Sequence, residues 1–226
     1  ASPPPHGLPL QGPPLMRALD LTHPIKAAMP VFPGTEPPTL RPANTIEKDG
    51  FAETFLSFYS HTGTHMDAPA HIFKGAPTLD TFAAGQFAGT ALVLNCTGTF
   101  EIGLDILHRA GPALESAEFL LFFTGWAKKW GTPAYFEGFP CLTAAAADYI
   151  AASGKKGVGF DAISADPVAD GNLAIHKRLL ASGQTVIVEN LTNLDQIGPG
   201  LFTFCALPLK FAQADGAPVR AVALFD

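Results

Sequence analysis

The chain is short of several things, and each shortage removes a class of function. Cysteine is scarce: Cys96, Cys141 and Cys205 are odd in number and far apart, which excludes a disulfide framework and a zinc-knuckle spacing. All three sit among apolar residues, as buried free thiols do. Charge is sparse at 15% of residues, no basic run occurs, and the formal net charge is −6 with a sequence pI near 5.6. That balance argues against a nucleic-acid or anionic-membrane partner. No hydrophobic run reaches membrane-spanning length. There is no Gly-x-Ser-x-Gly elbow, no phosphate-binding loop, no dinucleotide glycine fingerprint and no repeat at a fixed period. The first fifteen residues, ASPPPHGLPLQGPPL, lack the basic start and apolar core of a signal peptide. They read as a flexible Pro-rich arm or extension over 1–15, ahead of a single domain over 16–226. A cytoplasmic location is the default expectation.

What is present is apolar: 47% hydrophobic residues with 18 phenylalanines in 226, enough for one well-buried domain. The low charge and positive mean hydropathy also point to a buried subunit interface. Strands outnumber helices in the pattern. Strands are expected at 17–23, 51–59, 91–96, 119–124, 157–161, 185–188, 202–208 and 219–225. The run FLLFFT at 119–124 reads as a central strand buried on both faces. A helix is expected over 143–153, between an N-capping Thr143 and a C-terminal Gly154. Shorter helices fit 103–110 and 174–182, the latter closed by Gly183. The fold class is therefore α/β, a single mixed domain.

One stretch carries most of the chemistry, His61-Thr62-Gly63-Thr64-His65-Met66-Asp67-Ala68-Pro69-Ala70-His71, with three of the seven histidines. His61, His65 and Asp67 offer two imidazoles and a carboxylate, a donor set suited to Zn²⁺ or Mn²⁺. Gly63, two threonines and Pro69 argue against a helix, and a straight strand would set His61 and His65 about 13 Å apart. A bent segment is expected, with Gly63 at the bend and Pro69 fixing the exit. His71 then remains as an imidazole beside the metal, placed to move protons as catalytic acid and base. A glutamate directly after the strand run Thr185-Val186-Ile187-Val188, Glu189, is expensive to bury unless a cation lies near it.

The segment resembles the signature of the cyclase family of metal-dependent hydrolases, which includes bacterial kynurenine formamidases and isatin hydrolases. Each fixed position of His-x-Gly-Thr-His-x-Asp-x-Pro-x-His is matched. Further pieces resemble the family's pattern: Thr124-Gly125-Trp126, Asp161 to Pro167, Glu189-Asn190-Leu191-Thr192-Asn193-Leu194, and the closing segments around Pro208 and Gly216. The resemblance implies a swivelling β/β/α-like fold and a homodimer or larger homo-oligomer. It also implies that His176 and Glu189 complete a second metal position, bridged by Asp67, so that one or two ions bind per subunit. The implied reaction is hydrolysis of a C–N bond in an amide or cyclic amide by metal-activated water. An ester substrate, a lyase or cyclase reaction, and a non-catalytic metal site stay open as alternatives. The kynurenine formamidases carry a tryptophan before a Pro-Gly pair where this chain has Phe32. That departure, with Thr124-Gly125-Trp126 and Glu189 to Leu194, leans toward the broader cyclase-like or isatin-hydrolase-like branch, and the abundance of Phe near the site segments leans toward an aromatic or apolar carbonyl substrate. Phe32, Phe73 and Trp126 are the expected substrate contacts. Asp161, Ser164 and Asp166 read as structural, at a strand end and an Asp-Pro turn.

Overall fold

The computed structural model of the protein describes residues 17–225. The expected Pro-rich arm over 1–15 lies outside them. Among the described residues are ten strands: β1 (Arg17–Asp20), β2 (Thr39–Asn44), β3 (Glu53–Ser57), β4 (His65–Asp67), β5 (Ala88–Asn95), β6 (Phe119–Phe123), β7 (Gly157–Phe160), β8 (Val186–Glu189), β9 (Leu201–Pro208) and β10 (Gly216–Phe225). Five α-helices accompany them: α1 (Ile46–Asp49), α2 (Leu104–Arg109), α3 (Pro112–Ser116), α4 (Ala144–Ala152) and α5 (Ala174–Leu180). The mixed α/β expectation, with strands in excess, is borne out.

The main sheet runs β1-β10-β4-β8-β7-β6-β5-β9, and β9 pairs again with β10. Seven strands thus close into a barrel-like ring, with β4 and β1 following one another along the same edge of β10. Strands β5 to β8 are parallel. Parallel neighbours need crossovers, and α2 with α3, then α4, then α5 supply them in chain order. Thr143 caps α4 as expected, its hydroxyl accepting from the Ala146 amide.

The buried strands alternate between two cores. Phe119 and Leu121 of β6 point into the ring, with Met66, Val186, Val188, Phe204 and Ala221. Leu120 and Phe122 point outward to a second core with Leu107 of α2, Ala147 and Ile150 of α4, and Leu179 and Leu180 of α5. This is why the central strand lacks a polar side. On β7 the inward positions are Gly157 and Gly159. A Cβ on Gly157 would stand 2.8 Å from the Phe119 ring and 2.9 Å from the Val186 carbonyl, so only glycine lets the ring draw this tight.

The sequence reading passed over β2, α1 and α3 and misplaced the start of β10. β2 contains Pro42, which demotes a segment read from pattern alone, yet it is tolerated because β2 pairs on one side only, with β3. β10 begins at Gly216, three residues before the expected start, and those residues pair with β4. No helix among the described residues is long and apolar enough to cross a membrane.

Candidate metal centre

β4 is three residues long and wholly buried, hydrogen-bonded to β10 on one edge and β8 on the other. Because side chains alternate, Met66 enters the ring while His65 and Asp67 emerge on the outer face. Glu189, directly opposite His65 across the ladder, has the same parity and emerges beside it. Just upstream, Gly63 adopts φ +68°, and a Cβ there would press on Met29 Cε at 3.3 Å. The chain bends at this glycine, as expected, and brings His61 back over Asp67. Downstream, Pro69 opens a single 3₁₀ turn that ends on His71. From the helix layer, the buried face of α5 carries His176, Leu179 and Leu180 at i, i+3 and i+4. The leucines seat the helix on the outer core, and His176 reaches the same spot.

The result is a close-packed cluster. His61 Nδ1 lies 2.6 Å from Asp67 Oδ1, and His65 Nε2 lies 3.3 Å from the same oxygen. His65 Nε2 is 3.4 Å from Glu189 Oε2; His176 Nε2 is 3.2 Å from Glu189 Oε1 and 3.5 Å from Asp67 Oδ2. The His71 ring stands 4.1 Å from that of His61 and 6.0 Å from that of His176. Two sets of donor atoms, His61 with His65 and Asp67, and Asp67 with His176 and Glu189, are each close enough to share one ion. A third set joins His61 and His71 to Asp215, a residue the sequence reading passed over. Asp215 Oδ2 is 3.2 Å from His61 Nε2.

Electrostatics make the cluster a strong trap for positive charge. Burial disfavours charge on His61, His65 and His176, but the surrounding carboxylates outweigh it. They push these groups up to about 9, about 10 and about 12 respectively. Burial likewise disfavours charge on Asp67 and Glu189, and the histidines hold both carboxyls below their ordinary range. Burial lowers the pKa of His71, which favours its neutral ring. Protons on these nitrogens compete with any cation for the same lone pairs.

The donors fit a divalent ion. Imidazole and carboxylate are the expected ligands, and Asp67 Oδ2 is buried with no hydrogen-bond partner. A buried carboxylate oxygen left alone is costly, and a cation between Asp67, His176 and Glu189 would remove that cost. Gly216 adds a steric cradle, since a Cβ there would meet the His61 ring, with both nitrogens at 2.8 Å.

Around the donors sits a shell of fixed partners. Asp166 Oδ2 accepts from His176 Nδ1 at 2.7 Å, and the same carboxylate accepts the Ile175 and His176 backbone amides that open α5. It therefore caps the helix and fixes which nitrogen of His176 faces the site. Read alone, Asp166-Pro167 is a turn. Its partners lie nine and ten residues ahead, beyond any local capping rule. Glu189 Oε1 accepts the Ala165 amide at 2.7 Å. Asp161 accepts from the Thr124 and Gly125 amides and clamps the turn after β6, a structural duty as expected.

The structure thus brings His61, His65, Asp67, His71, His176 and Glu189 together. The three expected substrate contacts stand in settings of their own. Phe32 is exposed in the loop before Thr35. Phe73 follows His71 by two residues and packs on the outer core. Trp126 packs on Phe139, and its indole donates to the Tyr135 carbonyl.

Comparisons with known proteins agree with this architecture. The family model described as putative cyclase matches residues 19–167. Kynurenine formamidase of Geobacillus thermodenitrificans (strain NG80-2) is 31% identical over 205 residues, covering 90% of this chain and 95% of the relative. Its counterpart from Bacillus cytotoxicus is 31% identical over 208 residues, with the same coverage. Among solved structures, isatin hydrolase A from Ralstonia solanacearum superposes with a TM-score of 0.81 at 25% identity, covering 93% of this chain and 92% of that one. A structure described as a potential metal-dependent hydrolase with cyclase activity gives 0.76 at 29% identity, covering 92% and 98%. A family match of this extent, with relatives this similar along nearly their whole length, establishes that the chain belongs to the cyclase family.

Proposed function

We propose that the protein is a metal-dependent hydrolase that cleaves a C–N bond of a non-peptide amide, an aryl formamide or an isatin-like lactam. The observation that carries this reading is the gathering of His61, His65, His176 and Glu189 around the buried carboxylate of Asp67, whose Oδ2 has no hydrogen-bond partner, with the His71 ring beside them. The relatives named as kynurenine formamidases and the neighbour named as an isatin hydrolase support the same reaction class.

His61, His65 and Asp67 would hold one ion, and Asp67 with His176 and Glu189 a second, so that one or two ions of Mn²⁺ or Zn²⁺ would bind per subunit. Such an ion supplies Lewis acidity, polarising a carbonyl and lowering the pKa of water toward neutrality. The residues do the rest. Asp67 and Glu189 balance the cationic charge, and Asp166 keeps His176 aimed. His71 has no part in the hydrogen bonds that tie down the other histidines and keeps a neutral ring facing the cluster. It is the group that takes a proton from the attacking water and returns it to the leaving nitrogen. Phe32, Phe73 and Trp126 contact the aromatic or apolar part of the substrate.

The working form is a homodimer or larger homo-oligomer. In its support, the β2–β3 ribbon is exposed along nearly its whole length and presents Leu40, Ile46, Phe51, Phe55 and Leu56 to solvent. A two-stranded ribbon with apolar residues on it is marginal alone and gains stability when covered. Free thiols at Cys96, Cys141 and Cys205 suit a reducing, cytoplasmic setting.

The test is direct. Metal-stripped protein is assayed on isatin and on an N-formyl aryl amine, before and after addition of Mn²⁺ or Zn²⁺. Turnover should vanish on stripping and return with metal, and product mass should show the gain of one water. His71→Ala should retain its metal and lose about 10²–10⁴-fold in kcat. Activity indifferent to exhaustive chelation would sink the proposal.

A further inference from the structure

A chain of three hydrogen bonds leads from the buried Tyr135 to His65. Tyr135, in the turn Pro133–Phe136, is 0% exposed and is the largest fully buried side chain. Its hydroxyl donates to Asn190 Oδ1 at 2.7 Å. The Gly63 carbonyl can only accept, so Asn190 Nδ2 donates to it at 2.8 Å, and this settles the orientation of the amide and leaves Oδ1 to accept from the tyrosine. The same carbonyl accepts from His65 Nδ1, also at 2.8 Å.

The backbone is arranged to allow this. Asn190 directly follows Glu189 and adopts φ +58°, a left-handed conformation that asparagine tolerates better than most residues. That turn directs the Asn190 carbonyl to the Thr64 hydroxyl, which donates to it at 2.6 Å. Gly63 sits at φ +68°. Two left-handed residues on separate segments therefore meet side chain to backbone, one beside His65 and one beside Glu189. With Nδ1 committed to the Gly63 carbonyl, Nε2 is the nitrogen of His65 that faces Asp67 and Glu189.

We infer that Tyr135 and Asn190 are positioning residues for the metal centre, acting in series through the Gly63 carbonyl to fix the ring of His65. The inference rests on the metal-dependent reading above. Neither side chain touches an ion. Tyr135 holds the amide, the amide holds the carbonyl, and the carbonyl holds the ring and its tautomer. Burial raises the Tyr135 phenol well above its ordinary value, so it stays a donor across the working pH range. A buried tyrosine–asparagine pair could instead serve stability alone, and the two roles separate experimentally.

The full chain, stripped of metal, is titrated with Mn²⁺ and with Zn²⁺ by calorimetry as wild type, Tyr135→Phe, Asn190→Gly and the double variant. Glycine is chosen because it accepts φ +58° without strain. Tyr135→Phe and Asn190→Gly should each weaken ion binding about 10-fold, the lower end of the effect of losing an outer partner of a metal ligand. The double variant should bind no more weakly than Asn190→Gly alone, since Tyr135 acts only through that amide. Urea unfolding of the metal-free proteins runs alongside. Variants with a lower urea midpoint but wild-type ion affinity would overturn the inference, as would penalties that add in the double variant. If Asn190→Gly does not fold, the isosteric Asn190→Asp replaces it, and Tyr135→Phe, which only removes a hydroxyl, carries the test by itself. Wild-type protein that binds neither ion would overturn the metal-dependent reading and this inference with it. Wild-type binding with unchanged variants would overturn this inference alone.

Discussion

His23 shows how one side chain near the site can set a pH response without taking part in chemistry. Its ring lies flat on Trp130, 4.0 Å between centroids, its backbone amide donates to the Thr64 hydroxyl, and its Nε2 is buried without a partner. Burial drives its pKa down to about 4 from 6.5. The unfolded chain therefore binds this proton first as the solution is acidified. His23 contributes stability that is fully present above pH 6.5 and lost as pH falls toward 4. Unfolding in urea at pH 7 and pH 5 should show a smaller loss of midpoint for His23→Phe than for wild type. An equal loss in both would remove His23 from the account. At this scale the sequence was legible where donors are adjacent. His61, His65, Asp67 and His71 stand in one run whose residue types point to a metal and to a proton carrier. Asp166, Tyr135 and Asn190 were not legible in the same way. Their meaning is a partner many residues distant, and no spacing rule links Tyr135 to Asn190 or Asp215 to His61.

At the scale of elements, β7 and β4 illustrate opposite demands. β7 is short and carries glycine at both inward positions, where neighbouring side chains from β6 and β8 fill the space a Cβ would need. Gly157→Ala should cost about 1–3 kcal/mol through overpacking against Phe119 and the Val186 carbonyl. Chemical denaturation of the metal-free protein reads this directly, and an unchanged midpoint would show that the ring yields freely. β4 has only three residues, yet it is held on both edges, so its two outward donors are fixed by the ladders to two neighbouring strands rather than by their own length. The strands of the parallel half were readable as apolar runs because both faces are buried. β4 was readable only as a bend: three residues do not establish a period, and the pairing that makes them a strand comes from distant parts of the chain. β2 hid behind Pro42, a residue that signals the end of a strand except on an edge.

At the scale of the molecule, the ribbon of β2 and β3 is the part least explained by a single chain. Arg41 lies over the Phe55 ring at 4.4 Å, which covers one aromatic, while Ile46 and Leu56 remain 67% and 52% exposed. If a second copy covers this ribbon, Ile46→Glu with Leu56→Glu should shift the protein from dimer to monomer in analytical ultracentrifugation, because burying an unpaired carboxylate is costly. An unchanged sedimentation coefficient would place the subunit contact elsewhere. The ribbon runs straight into Phe58, Tyr59 and His61, so loss of the dimer should raise KM more than it lowers kcat.

The division between sheet and loops has a wider consequence. His65, Asp67 and Glu189 stand on ladder-bonded strands, His71 on a one-turn continuation of them and His176 on a helix seated on them, while His61, Phe32 and Trp126 come from connections outside any ladder. A lineage built this way can exchange the residues of its connections piece by piece while the ladder-held donors stay in place.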